Sequence, residues 1–157
     1  YNRSIIMIQR KQTLYLLIAI LLLVFCLCNK IVSISTAAIG QDAVLYNIAL
    51  VDMNGVYSFK YIPLFIILAV AIIVMLVTIF SYKKRKLQIK LCYTSIILLF
   101  AWILTASLYY ADLSETGELH GFSVTAVFPV IAIILNVMAS SAIKADEMLV
   151  RAADRIR

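Results

Sequence analysis

Charge is what this chain most lacks. Asp, Glu, Lys and Arg together supply 14% of its 157 residues, while hydrophobic residues supply 64%. Soluble domains carry roughly 25% charged and about 45–50% apolar residues. A soluble fold of this size could not bury the excess, so lipid must be the solvent for much of the chain. Glycine is also scarce. With four glycines in all, there is no phosphate-cradling glycine loop, and neither Gly-x-Ser-x-Gly nor a Ser-His-Asp set occurs. The single histidine, His120, stands near Glu115 and Glu118. One imidazole and two loop acids are a poor metal set, so a solvated loop is expected, without metal or cofactor. The three cysteines, Cys26, Cys28 and Cys92, are odd in number and none falls in a polar loop, so no disulfide framework is implied. Side chains two apart on a helix point about 200° apart. Cys26 and Cys28 therefore read as small packing residues and not as a chelating or redox pair.

What is abundant is apolar sequence in long runs. Four stand out, at 13–32, 61–82, 87–110 and 124–143. Each is about 20 residues or more, enough at about 1.5 Å per residue to cross a hydrocarbon core of about 30 Å. Their content of β-branched residues does not argue for strands, because in lipid each backbone group must be bonded within its own segment. No ionisable residue lies mid-span. Lys30 and Lys90 sit near span ends and can snorkel. A proton-coupled transporter would need a buried carboxylate to alternate between proton and substrate, and the sequence offers none.

The basic residues set an orientation. Twelve of the fourteen precede the first run, lie between or just inside the second and third, or follow the fourth; only Lys30 and Lys60 fall elsewhere. The positive-inside rule then places both termini and the turn at 83–86 in the cytoplasm. This distribution also accounts for the net charge of +6 without nucleic acid, for which no basic face or reading motif is present. A cleaved signal peptide is the rival reading of the start, but the first run is too long for a usual apolar signal core.

The segments outside the spans differ in kind. The short basic turn at 83–86 makes spans two and three an antiparallel helical hairpin. In the outer loop 33–60, Val44, Tyr46, Ile48 and Leu50 alternate before Asn54-Gly55, and Val56-Tyr57-Ser58-Phe59 follows. Asn-Gly suits a type I′ turn, so a short extracytoplasmic β-hairpin is expected; the alternative is an irregular loop whose aromatics rest among headgroups. The second outer loop, 111–122, is short and acidic.

Two features suggest contacts. Ala132, Asn136 and Ser140 recur every four residues along the fourth span, a face suited to close helix approach, within the bundle or toward another subunit. Pro129 near its start either begins the regular helix or kinks it. The tail 144–157 continues that helix, with Ala145, Leu149, Ala152 and Ile156 as an apolar stripe and Glu147–Arg151 as an i,i+4 pair. It lies on lipid, docks on the basic turn, or meets a partner. The candidate partner-contact residues are Asp146, Glu147, Leu149, Arg151, Asp154, Arg155 and Arg157.

The two ends also carry a resemblance. Met7-Ile8-Gln9-Arg10-Lys11-Gln12-Thr13 before the first helix, and Ile143-Lys144-Ala145-Asp146-Glu147-Met148-Leu149-Val150-Arg151-Ala152-Ala153-Asp154-Arg155-Ile156-Arg157 at the close, resemble the end motifs of a family of small Bacteroidota membrane proteins, the domain of unknown function numbered 4293. Its pattern would lead one to expect an apolar residue at Lys11 and a basic one at Ala145. The resemblance implies four transmembrane helices, a bacterial inner-membrane address and a natural start at Met7, with residues 1–6 an upstream extension. It implies no catalytic residue.

The expectation is thus an all-α membrane protein of one domain, 1–157: a four-transmembrane-helix bundle with a short extracytoplasmic β-hairpin and a cytoplasmic helical tail. The expected role is a non-enzymatic accessory or scaffolding subunit, in contact with membrane lipid and with a protein partner or a second copy. The alternative is a small transporter or channel component that acts as an oligomer.

Overall fold

A computed structural model describes residues 2–36, 41–51, 55–82, 84–114 and 118–155. Its elements in chain order are α1 (Asn2–Cys28), β1 (Lys30–Thr36), β2 (Gln41–Tyr46), β3 (Leu50–Val51), β4 (Tyr57–Ser58), α2 (Ile62–Phe80), α3 (Arg85–Ser114), β5 (Glu118–Phe122) and α4 (Phe128–Arg155). Short 3₁₀ turns, Phe59–Tyr61 and Val124–Val127, lead into α2 and α4. All four helices are long and apolar enough to cross a membrane.

Each helix follows its own seam. Buried positions fall at Gln12, Leu16, Ala19, Leu23 and Cys26 on α1, and at Leu64, Leu68, Ala71, Met75 and Thr78 on α2. They fall at Gln88, Cys92, Ser95, Leu99 and Trp102 on α3, and at Ala132, Asn136, Ala139 and Ile143 on α4. Steps of three and four, averaging 3.5, are the spacing of a left-handed supercoiled bundle. The helices pack in a ring, α1 on α2, α2 on α3, α3 on α4 and α4 on α1, with the α1–α2 seam the least intimate. The outward faces carry Leu21, Phe25, Ile73, Phe80, Ile97 and Leu108, all exposed, as lipid contact requires. Pro129 sits just inside the start of α4, and Pro63 just inside the start of α2, where the missing N–H removes no helical bond. Pro129 thus begins the helix and does not kink it.

The strands form one antiparallel sheet of order β4-β3-β2-β1-β5 across the end of the bundle away from the termini. Here the structure exceeds the expectation of a hairpin. The strand pair flanking Asn54-Gly55 is present as β3 and β4, with Leu50 opposite Ser58 and Val51 opposite Tyr57. Gly55 has φ +72, but five residues separate Val51 from Tyr57, so a two-residue type I′ turn does not join them. The alternating stretch from Val44 to Leu50 is not one strand: it breaks after Tyr46, where Tyr46 N donates to the Ala49 carbonyl at 3.0 Å, and β2 then folds back on β3. The first helix ends at Cys28, not near residue 32, and Lys30–Thr36 leaves it as the strand β1. β1 pairs with β2 on one side and with β5 on the other. β5 replaces part of the expected acidic loop.

Candidate functional site

The two ends of the bundle carry the polar chemistry. At the sheet end, the turn between β2 and β3 inserts Asn47, fully buried, into the top of the helices. Its Nδ2 donates to the Cys26 carbonyl at 2.8 Å, and its Oδ1 accepts from the Trp102 indole N–H at 3.2 Å. One amide thereby serves a carbonyl at the C-terminus of α1, which has no partner within the helix, and the polar handle of the single tryptophan. Thr125 Oγ1 donates to the Lys30 carbonyl at 2.6 Å, and Ser123 N to the Ile31 carbonyl at 2.9 Å, tying the start of α4 to β1. Lys60 and Asp112 form an exposed ion pair at 2.6 Å, and the Tyr109 hydroxyl donates to the Lys60 carbonyl at 3.2 Å. Tyr61 and Tyr109 meet edge to face, with ring centroids 4.9 Å apart. Ile48, Val56, Tyr57 and Phe59 remain exposed on this end.

Midway along the bundle, Ser95 Oγ donates to Asn136 Oδ1 at 3.2 Å, and Asn136 Nδ2 lies 3.7 Å from Met75 Sδ. Ala132, Asn136 and Ser140 are all buried within the chain. Among the described residues, the buried polar side chains are uncharged, and none of their buried nitrogen or oxygen atoms lacks a partner.

At the end that holds the termini, the seams change character. Gln12 and Gln88 occupy seam positions that are apolar one turn further in. Around them lies a cavity of about 260 Å³, to which every helix contributes: Gln12 from α1, Ile79 from α2, Arg85 and Gln88 from α3, Ile143 and Asp146 from α4. Gln12 Nε2 donates to Asp146 Oδ2. Arg85 Nη1 donates to the Asp146 carbonyl at 3.2 Å, and its guanidinium is within coulombic reach of the carboxylate. Lys144 Nζ donates to the Tyr93 hydroxyl and also sits 4.9 Å from that ring's centroid.

Residues 8–156 match the family described as Domain of unknown function (DUF4293). The chain belongs to that family. The match covers nearly the whole chain, including all but the outermost residue of each end motif. No curated protein matches it. Membership in DUF4293 thus brings no assigned chemistry with it, and the four helices long enough to cross a membrane are read from this chain itself.

Of the partner-contact residues read from the sequence, Asp146 and Glu147 are half-buried, and Asp146 is bonded to Gln12 within the chain. Leu149 is exposed. The side chains of Arg151, Asp154 and Arg155, and the whole of Arg157, lie outside the described residues, as do Glu115 and the side chains of Glu118 and His120. Sequence reasoning missed Asn47, Trp102, Gln12, Gln88 and Arg85. The glutamines left a signal: each stands at a 3.5-spaced seam position otherwise filled by apolar or small residues.

Proposed function

We propose that this DUF4293 chain is a non-enzymatic accessory subunit of the bacterial inner membrane. The sheet faces outward, both termini and the 83–86 turn lie in the cytoplasm, and the end of α4 holds a protein partner. One observation carries the reading. Leu149 stays 63% exposed and Ala145 and Ala152 of the same stripe are exposed with it, on a helix that carries Glu147 and Arg151, so the described residues leave the apolar stripe uncovered. The buried polar residues, all uncharged among those described, supply no ionisable pathway through the bundle. Three acids in the tail, Asp146, Glu147 and Asp154, would oppose a purely lipid anchor on an anionic surface.

The test is retention of a partner in a pull-down from native membranes in mild detergent. Leu149→Asp should lose the partner. Changing Arg151, Arg155 and Arg157 together to Lys should weaken it, because lysine lacks the planar guanidinium fork. If both variants hold every partner that the parent holds, the tail is not the contact.

A further inference from the structure

The cavity at the terminal end has the makings of a ligand site. It lies where the four helices converge, and two of its lining groups carry opposite charge: Arg85 and Asp146. Each has capacity to spare. A guanidinium has five N–H donors, of which the Asp146 carbonyl takes one. Gln12 occupies Asp146 Oδ2 and leaves Oδ1. Gln88 adds a third polar group. The residue is 6% exposed and lines this cavity, and its side chain bonds to no other described residue. Every fully buried side-chain nitrogen and oxygen among the described residues has a partner, so the Gln88 amide reaches the open space, where its oxygen can accept from a ligand and its nitrogen donate to one.

Depth narrows the ligand. Gln12 lies 16 residues from the sheet end of α1, and Asp146 lies 18 from the start of α4. At about 1.5 Å per residue these are about 24 and 27 Å, close to the thickness of a hydrocarbon core. The cavity therefore stands at the level of phospholipid headgroups, with Ile79 and Ile143 on its apolar side.

We propose that this cavity binds a phosphoethanolamine group, a phosphate ester joined to a primary ammonium. The phosphate faces Arg85 and the ammonium faces Asp146 Oδ1 and the Gln88 carbonyl oxygen. Two sources carry that chemistry: the headgroup of a membrane phospholipid and a free phosphoethanolamine ester. Depth favours the lipid. A choline headgroup does not suit the site, because its quaternary nitrogen has no N–H to donate. The proposal does not depend on the accessory role of the tail.

The experiment follows the thermal midpoint of the full chain in mild detergent against added short-chain lipids of matched acyl length. Phosphatidylethanolamine should raise the midpoint by mass action, at concentrations at least about tenfold lower than phosphatidylcholine or phosphatidylglycerol, equivalent to about 1.4 kcal/mol. Glycerophosphoethanolamine, which has no acyl chains, should act more weakly than the lipid. If it matches the lipid at equal concentration, the lipid source is wrong and the soluble ester is the ligand. Gln88→Leu removes no side-chain hydrogen bond to another described residue, so its lipid-free midpoint should stay near the parent's while its preference for ethanolamine over choline is lost. Asp146→Asn should lose the same preference. Equal responses to ethanolamine and choline lipids in the parent, or an unchanged preference in Gln88→Leu, would overturn the proposal.

Discussion

Replacing Asn47 with leucine is the sharpest test of how the sheet is held on the bundle. The side chain is fully buried and spans two partners from different elements. Leucine has the same number of side-chain heavy atoms branched at the same position, so the change chiefly removes hydrogen bonding. Trp102, 2% exposed, would keep a buried N–H without an acceptor, at about 1–3 kcal/mol. The Cys26 carbonyl would retain only the Asn29 N–H at 3.4 Å, a further loss of about 1 kcal/mol. The expected destabilisation is thus about 2–4 kcal/mol, measured by equilibrium unfolding in mixed micelles. Trp102→Phe removes the donor that Asn47→Leu would orphan. The two changes should therefore couple, with the double variant at least about 1 kcal/mol more stable than additivity predicts. An Asn47→Leu variant within about 0.5 kcal/mol of the parent, or an additive cycle, would refute this account.

Three further outcomes are expected. Gly55 has φ +72 and open space where a Cβ would stand, so Gly55→Val should cost about 1–3 kcal/mol through backbone strain alone, and Gly55→Asn much less; equal melting of the two variants would count against a fixed left-handed residue. Asp112→Asn breaks an ion pair whose side chains are 60% and 52% exposed, and solvent screening of so open a pair should leave unfolding stability close to the parent's. Asn136→Leu loses its contact with Ser95 and should cost about 0.6 kcal/mol, typical of one hydrogen bond between membrane helices; a loss as large as that of Asn47→Leu would show that the mid-bundle bond matters more than this reasoning allows.

The spans were legible because apolar length alone determines them, and the tight basic turn correctly paired α2 with α3. The sheet was legible only in part. Leu50–Val51 and Tyr57–Ser58 announced themselves through local alternation around Asn54-Gly55. β1 did not, because Lys30–Thr36 follows the apolar run of α1 without a break and Ile31 and Val32 read as its last turn. β5 contains Gly121 beside His120 and Glu118 and reads as polar loop. It becomes a strand through pairing of Ser33 with His120 and Ile34 with Leu119, more than 80 residues apart in sequence, a relation that no local period reports. The break at Asn47 likewise depends on Trp102, 55 residues away. The terminal cavity was hidden for a different reason. Gln12, Gln88 and Asp146 each look like ordinary interfacial polar residues, and only the ring order of the helices brings them together.

The orientation of the sheet underlies the whole account, and sided cysteine labelling measures it directly. In a background lacking Cys26, Cys28 and Cys92, single cysteines would replace Val56, exposed at the sheet end, and Lys84, exposed in the turn between α2 and α3. An impermeant thiol reagent added to intact cells should label the cysteine at 56 and spare the one at 84 until the membrane is opened. Labelling at 84 with protection at 56 would contradict that orientation, and equal labelling of both in intact cells would contradict the four crossings themselves.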